Sequence, residues 1–244
     1  MKRWMACALV GALCILAPIC FGLCAFARTY ALYHDSTEGR RTVVVVTNLN
    51  DDVATGLLKA YDADGRIVTR ANVTLEGFAS EAVVIEIDPE GEQAWGLVSV
   101  QTTGRFALAA WISLGDRWRS VENVIASLIP LEEIEYAGYW MTANYASTMN
   151  RSTLLLLVNP YDEPVCGEIY VHDEAGNRLS MRSFSLDART SAALLPVESR
   201  FADGTTWGML DIHCEAPILL VMEHLDAEGG LIDLDLVSSF YLVD

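Results

Sequence analysis

The feature that most constrains the fold is an internal repeat. Residues 151–176, RSTLLLLVNPYDEPVCGEIYVHDEAG, restate residues 41–65, RTVVVVTNLNDDVATGLLKAYDADG, at an offset of 111 positions. Thr42, Asn48, Asp51, Gly56, Asp62 and Gly65 fall on Thr153, Asn159, Asp162, Gly167, Asp173 and Gly176. The register continues from Leu75, Ser80 and Ala82 onto Leu186, Ser191 and Ala193, and after one inserted residue Trp95-Gly96 falls on Trp207-Gly208. At that second offset the tail VIASLIPL from Val124 lies over LVSSFYLV from Leu236. Such a repeat means two copies of one structural unit, which decides the architecture before local propensity does.

Each copy reads as short strands separated by turn residues every eight to twelve positions, without a helix-length period. The first copy predicts strands at 30–33, 43–46, 54–61, 67–75, 82–87, 96–100 and 106–114, and the second at 141–145, 154–158, 165–172, 179–186, 192–195, 208–212 and 218–225. Seven strands per copy imply an all-β chain of two tandem antiparallel, immunoglobulin-like β-sandwich domains. Gly65 and Gly176 close hairpins that need positive φ. Asn48 and Asn159, followed by Asp51 and Asp162, are expected to cap backbone groups where an apolar strand ends.

The first 27 residues stand apart. Lys2 and Arg3 precede an apolar run from Trp4, and Ala25-Phe26-Ala27 offers small residues at the positions a signal peptidase reads. A cleaved export signal is the first reading; an uncleaved membrane anchor and a lipoprotein signal are the alternatives. All three put the fold beyond the cytoplasmic membrane, in a periplasmic, secreted or cell-surface location of bacterial type. Without this segment the net charge moves from −17 to −19, which argues against nucleic acid as a partner. The expected units are residues 28–131 and 138–244, joined by a short stretch, 132–137, that lacks the Gly, Ser or Pro of a flexible tether and so predicts a fixed angle.

Four segments, 43–46 with 106–112 and 154–158 with 218–222, are apolar at consecutive positions, where a half-exposed strand would alternate. Their second face is expected to be covered by the same chain, either by the other module or by the apolar tails 121–131 and 231–243. Another chain is the alternative.

Only Cys166 and Cys214 remain outside the N-terminal segment. They align with Thr55 and Thr102 and fall on the third and sixth strands, which are antiparallel neighbours in an immunoglobulin-like order. A bridge between them is the expectation, against two thiols, and closing that loop would stabilise by about 4 kcal/mol. Strand parity counts against it, since Cys214 alternates with Leu210 and Ile212 while Cys166 falls opposite Val165 and Ile169. Asp62-Ala63-Asp64-Gly65 resembles the start of a calcium loop but has Thr69, Arg70 and Ala71 where later oxygen donors belong, so it reads as a hairpin turn. His34, His172, His213 and His224 show no ligand spacing, although His172 and His213 could approach if the third and sixth strands pair.

Nucleophile and phosphate motifs such as G-x-S-x-G, S-x-x-K and H-E-x-x-H are missing from the sequence. The reading is therefore a protein that is not an enzyme, with no cofactor and no metal. Trp95 and Trp207 recur in both copies as core anchors. Trp118, Tyr139 and Trp140 do not recur, and near a domain junction they are the ligand or partner candidates, with packing in the junction as the plainer alternative. Asn72 and Asn150 begin N-x-[ST] sequons. The expected role is structural or protein-interacting, the partner being another extracytoplasmic protein or a second copy, with a carbohydrate or small-ligand module as the alternative.

The pattern T-[VL]-x-[VL]-x-x-N, a strand ending in Asp-x-x-Gly, and a late W-G-x-[LV]-x-[VI] before an apolar strand resembles the sandwich modules found in tandem in many exported bacterial proteins. In general outline it is also similar to the sensory-rhodopsin-transducer type of sandwich. The resemblance implies a fold and brings no catalytic residue. Leu49 stands where the second copy has Pro160.

Overall fold

The computed structural model describes residues 28–37, 39–85, 94–114, 117–121, 125–126, 138–147, 151–196, 206–226, 231–237 and 240–242. The N-terminal segment, the 132–137 join and the Asn150 sequon lie outside the described residues. Those described form strands and no helix. The first module contains β1 (Arg28–Asp35), β2 (Arg40–Asn48), β3 (Ala54–Tyr61), β4 (Ile67–Leu75), β5 (Ser80–Ile85), β6 (Trp95–Thr102), β7 (Phe106–Leu114), β8 (Arg117–Val121) and β9 (Ile125–Ala126). The second contains β10 (Tyr139–Ser147), β11 (Arg151–Val158), β12 (Val165–Asp173), β13 (Arg178–Leu186), β14 (Ser191–Leu194), β15 (Thr206–Cys214), β16 (Leu219–Asp226), β17 (Leu231–Val237) and β18 (Phe240–Leu242).

The strands make four antiparallel sheets, two per module. Sheet A has the order β4-β3-β6-β1-β9 and sheet B β5-β2-β7-β8; sheets C (β13-β12-β15-β10-β18) and D (β14-β11-β16-β17) repeat them. Alternation along each strand turns one face inward. Tyr30, Leu32, Leu58, Val98 and Val100 of sheet A meet Val44, Val46, Ala110 and Ile112 of sheet B, and the Phe106 N–H donates to the Tyr30 hydroxyl across the two layers at 3.1 Å. In the second module Met141, Ile169, Leu210 and Ile212 of sheet C meet Leu155, Leu157, Leu220 and Met222 of sheet D.

Sheet D is apolar on its other face too, and that face completes the core of the first module. Leu154, Leu156, Val158, Leu219 and Val221 pack into the first module's hydrophobic cluster, toward the face of sheet A that carries the fully buried Ala31, Tyr33 and Leu97. The layers therefore run B, A, D, C. Burying such side chains contributes roughly 1.5–3 kcal/mol each, so the two modules are held as one body. Cover from the same chain is what the apolar strands of the second copy predicted, and the other module supplies it. The tails do something else: β8 and β17 extend sheets B and D, while β9 and β18 cross to the edges of sheets A and C. Among the described residues the tails lengthen sheets. The outer face of sheet B is left without cover among the described residues, with Trp111 and Trp118 exposed.

The repeat extends to individual hydrogen bonds. Asn48 donates from Nδ2 to the carbonyls of Asp52, Leu75 and Glu76 at 2.7, 3.1 and 3.1 Å; Asn159 does the same to Glu163, Leu186 and Asp187 at 2.8, 3.2 and 2.9 Å. The Thr42 hydroxyl binds both backbone groups of Asp35, and Thr153 those of Ala146. Gly65 (φ 79°) and Gly176 (φ 80°) close the matching hairpins, where the Asp62 carboxylate accepts from the Arg66 N–H and the Asp173 carboxylate from the Asn177 N–H. The Asp62 side chain is thus occupied by its own turn. Phe78 (φ 59°) and Arg189 (φ 63°) form another equivalent pair, held in a conformation that side chains other than glycine rarely adopt. In the tails Ala126 pairs with Tyr30 as Phe240 pairs with Met141, an offset of 114 where the sequence alignment uses 112. The connection after β16 is two residues longer than that after β7, which accounts for the shift.

Candidate functional site

The outer face of sheet C carries a row of side chains set by strand register: Trp140 lies beside His213, His213 beside Glu168, and Glu168 beside Ser183. Met141, Ile169 and Ile212 alternate with them toward the core. Trp140, 39% exposed, stacks on the His213 ring with centroids 3.7 Å apart and planes at 20°. Tyr170 tilts against the other side of the row, 4.9 Å from His213. Its hydroxyl donates to Glu168, a bond that raises the phenol pKa, and the Arg178 guanidinium sits 5.9 Å from its ring. At one end the face opens into a groove of about 540 Å³ lined by Trp140, Glu168, Ser183, Phe184, His213 and Glu215. Flat rings flanked by a carboxylate and a guanidinium can accept an apolar surface with polar groups at its rim.

Of the candidates read from sequence, only Trp140 is in this array. Tyr139, its neighbour, points to the opposite face and is buried, because successive strand residues alternate. Trp118 is exposed, but it pairs with Ser113 on the outer face of sheet B, the far layer of the stack. Neither tryptophan is at the module junction, which sheets A and D form. The sequence raises His213 only as a metal partner of His172 and gives Tyr170 no role; the signal for both was parity with Trp140 across paired strands. β12 and β15 do pair, yet His172 lies opposite Met209 and its Nε2 faces Asp211 at 3.4 Å, not His213.

The expected disulfide is not formed. Cys214 pairs with Gly167, so its side chain points into the core, whereas Cys166 points out. Both are free, and parity is the reason. Burial pushes the Cys214 thiol up to about 12. The exposed Cys166 lies within reach of the Ser185 hydroxyl at 3.5 Å.

A second polar cluster lies where the modules meet. Arg40 pairs with Asp35 and, at 3.1 Å, with Glu223 of the other module, to which the Tyr33 hydroxyl donates at 3.3 Å. Burial, and then the neighbouring Asp35, push Glu223 up to about 7, and burial raises Tyr33 well above the usual phenol value. Trp95, Leu154, Leu156 and Ala193 complete the walls of a cavity of about 320 Å³. Its groups are matched to one another across the junction, which makes it a fastening between modules.

No protein-family model and no curated protein sequence matches the chain. Among solved structures it is similar to Bacteroides uniformis beta-glucuronidase 2 (8% identity, 89% of this chain and 29% of that one, TM-score 0.17). It is also similar to a putative beta-galactosidase from Bacteroides fragilis (11% identity, 88% and 33%, TM-score 0.17) and to a glycosyl hydrolase family 2 member from Bacteroides cellulosilyticus (12% identity, 88% and 30%, TM-score 0.18). The chain thus spans about a third or less of each of those proteins. Likeness at these TM-scores carries no argument about function, and a sensory-rhodopsin-transducer relationship is not shown.

Proposed function

We propose that the protein is a non-enzymatic, extracytoplasmic interaction module that works through the outer face of sheet C. The observation that carries this reading is positional. The equivalent face of the first module, on sheet A, is a docking surface filled by sheet D, whereas sheet C turns Trp140, His213 and Tyr170 outward with nothing on them among the described residues. An extracytoplasmic setting rests on the basic start, apolar run and Ala25-Phe26-Ala27 of the N-terminal segment. To test it, a photoreactive residue replaces Trp140, and as a control the exposed Arg70 of sheet A's edge strand, in intact cells. Adducts from position 140 and not from 70 are expected; none from 140, or equal yields, would overturn the reading.

A carbohydrate reading is favoured by one observation, the Trp140–His213 stack bordered by Glu168, since sugars lay their apolar faces on such rings. It requires a saturable rise in melting temperature with wall polysaccharides or simple sugars, lost in Trp140→Ala.

A further inference from the structure

The contact between modules joins unlike faces. Sheet A of the first module receives sheet D of the second, and by the repeat A corresponds to C and B to D. A contact of this kind is heterologous, and each molecule joined by it keeps one unfilled face of each type. Among the described residues those faces are the outer side of sheet B, equivalent to the docked side of D, and the outer side of sheet C, equivalent to the receiving side of A.

Position by position the free faces correspond to the filled ones, with Asn144 and Thr142 of sheet C at the places of Tyr33 and Ala31 of sheet A. Val43, Val45, Ala109 and Trp111 on sheet B occupy the positions of Leu154, Leu156, Val221 and Glu223 on sheet D. On sheet C, Met209, Ala146 and Trp207 occupy those of Leu97, Asp35 and Trp95 on sheet A. The charges change together. Within the chain Asp35 and Glu223 meet across the junction and need Arg40; on the free faces their counterparts are Ala146 and Trp111, a neutral pair. Trp111, 41% exposed, and Trp118, 47% exposed, project from sheet B, and Trp207 and Met209 are exposed on sheet C. Of the carboxylates on the same face of C, Asp211 faces the His172 ring and Glu168 accepts from the Tyr170 hydroxyl. Seating B on C therefore buries aromatic and aliphatic surface without stranding a carboxylate.

We propose that a second copy of this chain seats the outer face of its sheet B on the outer face of sheet C, repeating between chains the contact that joins the modules within one. The proposal rests on the reading of sheet C as the working surface and supplies its partner. Such an association does not close on itself as a two-fold dimer does; it grows head to tail.

Sedimentation velocity on the full chain over a concentration series tests it, with Trp111→Arg and Met209→Arg, both at exposed positions, checked for a native circular dichroism spectrum. The native protein is expected to gain mass with concentration beyond two chains, and each variant alone to stay at the mass of one. An equimolar mixture of the two variants retains one intact B face and one intact C face. It is expected to stop at two chains. A native protein that sediments as one chain throughout overturns the proposal, as does Trp111→Arg associating like the native chain, or a mixture that stays unassociated. If position 140 nevertheless cross-links to another protein in cells, the interaction reading survives while the second copy is excluded; without such adducts both fall.

Discussion

Asp35 of β1 and Glu223 of β16, contributed by different modules, share one guanidinium, that of Arg40. One positive charge cannot fully satisfy two buried carboxylates, and Arg40 sits closer to Asp35. Burial, and after it the charge of neighbouring Asp35, outweigh Arg40 and hold Glu223 above its usual 4.5, at about 7. Between those values the folded protein binds more protons than the unfolded chain, so this group's contribution is complete below about pH 4.5 and is lost as pH rises toward 7. Urea unfolding of Glu223→Gln is expected to remove that slope, gaining on the order of 1–3 kcal/mol over the native protein at pH 8 and little at pH 4. Parallel pH profiles for the two proteins would refute the assignment.

Asn48 and Asn159 each tie three carbonyls, two from connections and one from the last residue of β4 or β13, to the end of a central strand, and both are fully buried. Replacing either with alanine leaves those acceptors without a donor, a loss of about 3 kcal/mol or more. Aspartate, which fits the space but cannot donate, should cost at least as much. Chemical denaturation of the four variants measures this; costs under about 1 kcal/mol would contradict the capping role.

The two hairpin glycines separate backbone strain from packing. A Cβ at Gly176 meets nothing within 4 Å, whereas at Gly65 it meets the Ala188 carbonyl oxygen at 3.1 Å and the Thr190 methyl at 3.3 Å, both from the second module. Gly176→Ala is expected to cost about 1–2 kcal/mol, the penalty of positive φ alone. Gly65→Ala adds disturbance of the junction, including the Ser191 N–H bond to the Ala63 carbonyl at 2.9 Å. Equal losses in thermal unfolding would show that the contact yields freely.

Cysteine labelling checks the sheet parity. Cys166 is exposed and Cys214 is buried with its thiol pushed up to about 12. Iodoacetamide followed by peptide mass spectrometry is expected to modify Cys166 in the native protein and Cys214 only after unfolding. Protection of both, reversed by reductant, would restore the bridge.

The repeat made most of this fold legible, because duplicated turn residues and apolar strands mark the same positions twice; the predicted bounds at 54–61, 67–75 and 106–114 agree with β3, β4 and β7. The short edge strands β8, β9, β17 and β18 were missed, since apolar tails read equally well as covers. Positive φ at Phe78 and Arg189 was invisible, neither residue type favouring it. The candidate face was legible only at Trp140. Placing Tyr139 correctly needed the strand's parity, and finding His213 and Tyr170 needed the register between β10, β15 and β12, which a sequence does not state.

Sheets A and D are each buried on both sides, and this has a consequence for the order in which the chain is made. The first module is synthesised before β11 and β16 exist, so for that interval Ala31, Tyr33 and Leu97 face water, beside an Arg40–Asp35 pair still lacking its third member. The nascent half-protein is thus a sticky intermediate whose natural cap is the second half of its own chain. Shielding matters most during that wait, and a truncation after residue 131 would make the wait permanent.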